Sequence, residues 1–135
     1  MGLPSRLFAV VCASLAGILV VAGIAIATFT TENTPNLQEI LHYEKGVLVS
    51  AEPKWLHLYG PVVFQLFGLG MLTFVAVRWE RFVNRAIEAQ LDFNERHGQS
   101  VDVGWTLRFC LSVVVGLEVM ALVIMIYNSY RLLQP

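Results

Sequence analysis

The sequence predicts an all-α membrane protein with three transmembrane helices, the second of them extended by a cytoplasmic helix. Hydrophobic residues make up 56% of the chain and charged residues 14%, and the mean hydropathy is +0.64. Three apolar segments have the length of roughly 20 residues that crosses a bilayer core. Three spans and two loops use all 135 residues. We therefore predict one integral membrane domain over residues 1–135, with no separate soluble module.

The first predicted span covers residues 7–29. A cleaved signal peptide is the alternative, since Arg6 is a basic residue before the apolar run and Ala25-Ile26-Ala27 is a small-x-small site. Signal peptides have apolar regions of about 7–15 residues, and this run is longer. We therefore expect a membrane span. Small side chains at four-residue spacing would let a neighbouring helix approach closely: Ala9, Ala13 and Gly17, then Gly23 and Ala27.

The predicted outer loop, residues 30–55, contains a pattern typical of a short helix. Asn36 could cap it, with Glu39 three residues later completing a capping-box-like pair. Leu37, Ile40 and Leu41 would share one face, and Gly46 would end the helix. The apolar face favours a helix on the bilayer surface or against a neighbour, with a solvated helical turn as the alternative.

The second predicted span covers residues 56–77, and the segment 78–104 that follows sets the orientation. This segment is rich in arginine, whereas the outer loop contains only Lys45 and Lys54 as basic residues. Positively charged loops stay in the cytoplasm. We therefore expect the N-terminus in the cytoplasm and the C-terminus outside. The expected location is the bacterial plasma membrane.

The segment after the second span is predicted to be a helix from Trp79 to about Arg96, with Gly98 as its C-cap and a hinge up to Gly104. Apolar residues recur on one face at helical spacing. Either the membrane surface or a partner must cover this stripe, and we favour a partner. The expected partner-binding residues are Phe82, Ala86, Ile87 and Phe93.

The third predicted span, residues 105–127, contains Glu118 near its middle. Ionisable side chains at this depth are rare and costly, so each suggests a functional or packing role. Gln65 in the second span should lie within about one helical turn of the same depth. We expect a protonated Glu118 to hydrogen-bond Gln65, or a polar group of another subunit. A proton or cation site is the main alternative, and a lipid, quinone or pigment contact is a further one.

Aromatic residues lie near the predicted ends of the spans. Trp55 and Tyr59 lie at one end of the second span, Trp79 at its other end, and Trp105 and Tyr127 at the two ends of the third. Such rings favour the lipid headgroup level and so mark interfaces. Packing within the protein is an equally good interpretation of any one of them.

Two short stretches resemble known families. Ile124-Met125-Ile126-Tyr127-Asn128 and Gly104-Trp105, in a three-span chain, are similar to the small fourth subunit of bacterial haem-copper oxidases. The long outer loop, the cytoplasmic helix and Glu118 depart from that pattern. Trp79-Glu80-Arg81-Phe82 resembles the stretch after the first span of flagellar-motor-type proton channel subunits, whose later spans have no counterpart here. Neither resemblance carries residue roles over.

The sequence contains no recognisable catalytic motif, and the three histidines fall in loops or at an interface. We therefore expect no enzyme activity, no cofactor or metal bound by this chain alone, and no nucleic-acid binding. The expected function is a non-catalytic accessory subunit of a larger membrane complex, respiratory or photosynthetic, in contact with lipid and other membrane subunits. The alternative is a small homo-oligomeric proton or cation channel that uses Glu118.

Overall fold

The structure is a computed structural model, and it describes residues 3–34, 39–98, 100 and 102–133. In chain order its elements are helix α1 (Arg6–Asn33), strands β1 (Glu39–Glu44) and β2 (Val47–Pro53), and helices α2 (Lys54–Val77), α3 (Trp79–His97) and α4 (Val103–Leu133). Helices α1 and α4 and the Leu58–Val77 part of α2 are long and apolar enough to cross a membrane. The predicted class, with three spans and a helix after the second, is confirmed.

Helices α1, α2 and α4 each contact the other two and form a three-helix bundle. The buried residues of α1 recur every three or four positions, and those of α4 do the same apart from one interval of seven before Glu118, as one face of a helix requires. Two apolar clusters fill the interior. The cluster at the end of the bundle near β1 and β2, which form a hairpin, is called the hairpin-end cluster and consists of Ala27, Leu58, Val62 and Met125. The cluster at the opposite end, near α3, is called the α3-end cluster and consists of Ala9, Cys12, Ala16, Leu72, Val75, Ala76, Trp79, Val83, Leu107 and Leu111.

Helix α3 follows α2 after a single residue, Arg78. The Arg78 N–H still donates to the Phe74 carbonyl of α2 at 3.0 Å, and the Arg78 carbonyl already accepts from the Phe82 N–H at 2.9 Å. The helix ends as predicted, with Gly98 in the left-handed conformation at φ 65°. Its first turns are anchored because Trp79 is only 7% exposed. Trp79 is therefore a packing residue, whereas Trp55 and Trp105 are exposed as interface anchors would be.

Helix α4 begins directly after a polar N-cap, Asp102. Its carboxylate accepts from the Gly104 N–H at 3.2 Å, and its carbonyl accepts from the Thr106 N–H at 3.1 Å. Because a capping carboxylate satisfies an N–H group that would otherwise lack a partner, it stabilises the helix start. The resulting helix extends beyond the predicted span of 105–127 at both ends.

The predicted short helix in the loop between α1 and α2 is wrong for residues 39–53. Asn36 and Leu37 lie outside the described residues, and Ile40 and Leu41 lie in β1, which pairs antiparallel with β2. The connecting residues Lys45 and Gly46 have φ of 53° and 82°. Two positive φ values in a two-residue loop suit the twist of a β-hairpin. The residues after the turn, Val-Leu-Val from Val47, favour a strand, and this preference prevails over the helical spacing of the apolar residues before the turn.

Candidate functional site

A polar layer lies between the two apolar clusters of the bundle. On α4, Glu118 lies about two turns from Leu111 and two turns from Met125, which are buried in opposite clusters. On α2, Gln65 occupies the corresponding position between Val62 and Leu72. Glu118 is 1% exposed and Gln65 is 0% exposed. The helical period therefore turns both predicted residues into the interior of the bundle, and neither of them faces lipid.

The Glu118 carboxyl group packs directly against Gly68 of α2. A Cβ atom on Gly68 would overlap Glu118 Oε1 and would lie 2.8 Å from its carboxyl carbon. Only a residue without a side chain leaves space for the carboxyl group at this point. Gly68 therefore lets α2 and α4 approach closely around a large polar side chain, which is how small residues act at membrane helix interfaces.

The structure brings Gln65 and Glu118 together, but through different atoms from those predicted. The Gln65 amide Nε2 donates to the backbone carbonyl of Glu118 at 3.2 Å, not to its carboxyl group. The Gln65 Oε1 atom points towards α1, where a Cβ atom on Gly23 would lie 2.5 Å from it and 3.2 Å from Met125 Sδ. Gly23 thus makes room for Gln65 as Gly68 does for Glu118, and the layer involves all three spans.

Three buried oxygen atoms of this layer have no hydrogen-bond partner in the described part of the chain: Gln65 Oε1, Glu118 Oε1 and Glu118 Oε2. Leaving a buried polar group without a partner costs about 1–3 kcal/mol, and more if it is charged. A protonated Glu118 would carry one donor, and Gln65 Oε1 is an acceptor in the same layer. The arrangement suits a neutral carboxylic acid that holds or exchanges a single proton.

A second polar contact joins the spans near their hairpin end. Thr30 on α1 and Ser129 on α4 are buried and share a hydrogen bond between their hydroxyl groups. The Thr30 hydroxyl also lies 2.8 Å from the Ile26 carbonyl of its own helix. Sequence analysis missed this pair. A signal was present, because Ser129 follows Glu118 by about three helical turns and so shares its face.

The structure separates the four predicted partner-binding residues into two groups. Phe82, Ala86 and Ile87 are partly buried and pack against the α3-end cluster of this chain. Phe93 is exposed, and its ring stacks on His97 with the ring centroids 4.4 Å apart. The first half of α3 therefore covers its stripe with its own bundle, and Leu91 and Phe93 keep an exposed apolar surface. Binding of a partner by these residues stays a prediction.

The polar layer is separate from two surface grooves. One groove between α1 and α2 is bordered by Arg6 and Val77, and another between α1 and α4 by Phe29 and Tyr130, and neither is lined by Glu118.

Among the described residues, no three His, Cys, Asp or Glu side chains are grouped so that they could hold a metal ion. The polar layer, with one carboxyl group and one amide, is thus the strongest candidate for a functional site in the described part of the chain.

No protein family, characterised protein or solved structure matches this chain.

Proposed function

We propose that this chain is a non-catalytic accessory subunit of a larger membrane complex, of the respiratory or photosynthetic class. In this proposal Glu118 and Gln65 hold the three spans together, and the outward surfaces contact lipid and other subunits. The proposed location is the bacterial plasma membrane, with the N-terminus and α3 on the cytoplasmic side, since arginine is concentrated in the segment containing α3.

The observation that carries the proposal is the burial of Glu118 within a single copy of the chain. A pore formed between copies needs its ionisable side chain on the outer surface of each copy, where it can face the pore. Glu118 is instead 1% exposed and packed on Gly68 of its own chain. A polar side chain that hydrogen-bonds across membrane helices, as Gln65 does to the Glu118 carbonyl, contributes about 0.6–2 kcal/mol to helix association. This geometry supports a packing role over an intersubunit pore.

The exposed end of α3 supports a partner. Leu91 and Phe93 are 60% and 44% exposed, beyond the part of the helix that packs on the bundle. α3 as a whole has a low apolar content and a strongly one-sided apolar face, unlike the three spans. Leu91 and Phe93 lie two residues apart and so face different sides of α3. A second subunit that packs around this end of the helix would bury both of them.

One observation favours a second function, the transfer of protons through the chain. Both carboxyl oxygens of Glu118 lack a hydrogen-bond partner among the described residues. A carboxyl group used only for packing gains most when its hydrogen bonds are satisfied, whereas one that exchanges a proton needs a free oxygen. In that case Glu118 would pass protons through the interior of each copy, in a channel or a transporter built from copies of this chain.

Purification in a mild detergent tests the two functions. The accessory-subunit proposal expects different membrane proteins in a fixed ratio to this chain, and it expects Leu91→Asp with Phe93→Asp to release them. Asn84→Asp with Arg85→Gln, which changes the charge by the same −2 at other exposed positions of α3, should retain them. A closed ring of this chain alone, with proton flux in vesicles, would contradict the proposal and support a channel.

Variants of Phe82 and Ile87, which were also predicted to bind a partner, are expected to change the stability of the chain rather than partner binding. Phe82 and Ile87 pack on the α3-end cluster, so Phe82→Asp or Ile87→Asp should lower the stability of the chain itself. Losing a fully buried large side chain costs roughly 2–5 kcal/mol, and because Phe82 and Ile87 are only partly buried, the loss should lie in the lower part of that range. Release of partners by these two variants, with an unchanged stability of the isolated chain, would place the partner on the first half of α3.

A further inference from the structure

We infer that the α3 end of α1 and α2 forms a binding site for one anionic phospholipid, with its phosphate held by arginine side chains and one acyl chain in a groove. The inference is independent of the proposed function. It rests on two adjoining surface features that share Arg6 and Val77.

The first feature, the arginine rim, is a depression of about 280 Å³ lined by Arg6, Arg78 and Arg81 together with Val77 and Glu80. Three arginine residues and one glutamate give the rim a formal charge of +2. Guanidinium groups bind phosphate oxygens through paired N–H donors. The rim therefore has the charge and the donors that suit a phosphate group.

The second feature, the apolar groove, leads from the rim along α1 and α2 and has a volume of about 490 Å³. Its walls are Val10, Ala13 and Ser14 of α1 and Thr73, Ala76 and Val77 of α2. The Ser14 hydroxyl donates to the Val10 carbonyl of its own helix at 2.8 Å, so it places little hydrogen-bonding demand on an occupant. A hydrocarbon chain suits such walls.

The position of these two features along the bundle matches one leaflet of a bilayer. Arg6 begins α1, and Arg78 directly follows α2, so the rim lies where the spans leave the hydrocarbon. From Arg6 to Ser14 the groove extends about 12 Å along α1 at 1.5 Å per residue. This distance is within half of a hydrocarbon core of about 30 Å. A headgroup at the rim would place its acyl chain in the groove of the same leaflet.

A phospholipid fits the combined site better than an acidic segment of a partner protein. An extended acidic peptide could neutralise the rim, but its backbone N–H and C=O groups would lack partners in an apolar groove. A lipid joins a phosphate to a hydrocarbon chain in one molecule. The charge of the rim favours an anionic headgroup, such as that of phosphatidylglycerol, over the zwitterionic phosphatidylcholine.

Native mass spectrometry of the full chain, released from nanodiscs of equal parts dioleoyl phosphatidylglycerol and dioleoyl phosphatidylcholine, tests the site. We expect the wild-type chain to retain one phosphatidylglycerol. Arg6→Gln with Arg81→Gln should lower its retention about tenfold or more. The matched control, Arg85→Gln with Arg96→Gln, removes the same charge from exposed positions of α3 outside the rim and should retain it.

Two further measurements distinguish a bound lipid from other ligands. Ser14→Phe fills the groove from an exposed position and should also release phosphatidylglycerol, although the rim keeps its charge. Millimolar inorganic phosphate should leave the lipid bound. An equal loss of bound phosphatidylglycerol in the two double arginine variants would show a diffuse charge effect and contradict the proposed site. Retention by Ser14→Phe, displacement by phosphate, or a photo-crosslink from Val10 to a polypeptide in cells would overturn it as well.

Discussion

Replacing Gly68 with alanine should destabilise the bundle, because the new methyl group would occupy the space of the Glu118 carboxyl group. The added Cβ would lie 2.8 Å from the carboxyl carbon of Glu118, whereas ordinary contact begins at 3.4 Å. That carbon must therefore retreat by at least 0.6 Å, the difference between these two distances. Because Glu118 is 1% exposed, it has to retreat into packed protein. Overpacking of this kind typically costs about 1–3 kcal/mol.

Gly70→Ala is the matched control for this substitution. It lies on the same helix, and nothing stands within 4 Å of the Cβ that it would add. Alanine favours a helix over glycine by up to about 1 kcal/mol, and both variants share this gain. The difference between their free energies of unfolding therefore isolates the packing against Glu118. It can be measured by titrating each variant with denaturing detergent in mixed micelles and following circular dichroism.

A double-mutant cycle then tests whether the carboxyl group is the cause. In a Glu118→Ala background, Gly68→Ala should cost no more than Gly70→Ala, because the clash is gone. In a Glu118→Gln background, which keeps the size of the side chain, the penalty should remain. The packing of Glu118 on Gly68 is refuted if Gly68→Ala and Gly70→Ala are equally stable in the wild-type background, or if the penalty persists in Glu118→Ala.

Three further predictions concern the orientation, the carboxyl group and the second polar contact. In intact cells, and in a background without the native cysteines, Lys45→Cys should react with a membrane-impermeant thiol reagent and Ser100→Cys should not; the reverse pattern would exchange the two sides. If a protonated Glu118 donates to Gln65 Oε1, Glu118→Leu should weaken helix association by roughly 0.6–2 kcal/mol and Glu118→Gln should keep it; loss of proton flux in vesicles containing a stable Glu118→Gln variant would indicate proton transfer instead. Thr30→Val and Ser129→Ala should each lower the free energy of unfolding by about 0.6–1.7 kcal/mol; the double variant should cost no more than the larger single one, and full additivity would show that the two hydroxyl groups do not interact.

Local patterns in the sequence were sufficient for the three spans and for α3. The length and apolar character of a segment decide whether it can cross a bilayer, and both are properties of the segment alone. The C-cap at Gly98 likewise depends on one residue that adopts a positive φ. The hairpin was missed because the short helical pattern that includes Ile40 and Leu41 was weighed without the turn geometry at Lys45 and Gly46. A strand pairing also depends on residues that are distant along the chain.

By itself, the sequence determined that Glu118 and Gln65 share a depth, because each residue advances a helix by about 1.5 Å. Only the tertiary structure decided which atoms meet: the Gln65 amide and the Glu118 carbonyl, the Glu118 carboxyl group and Gly68, and Gln65 Oε1 at Gly23. These contacts depend on how far each helix is rotated about its own axis and how closely the axes approach. Both quantities result from fitting all three helix surfaces together, so no single span contains them.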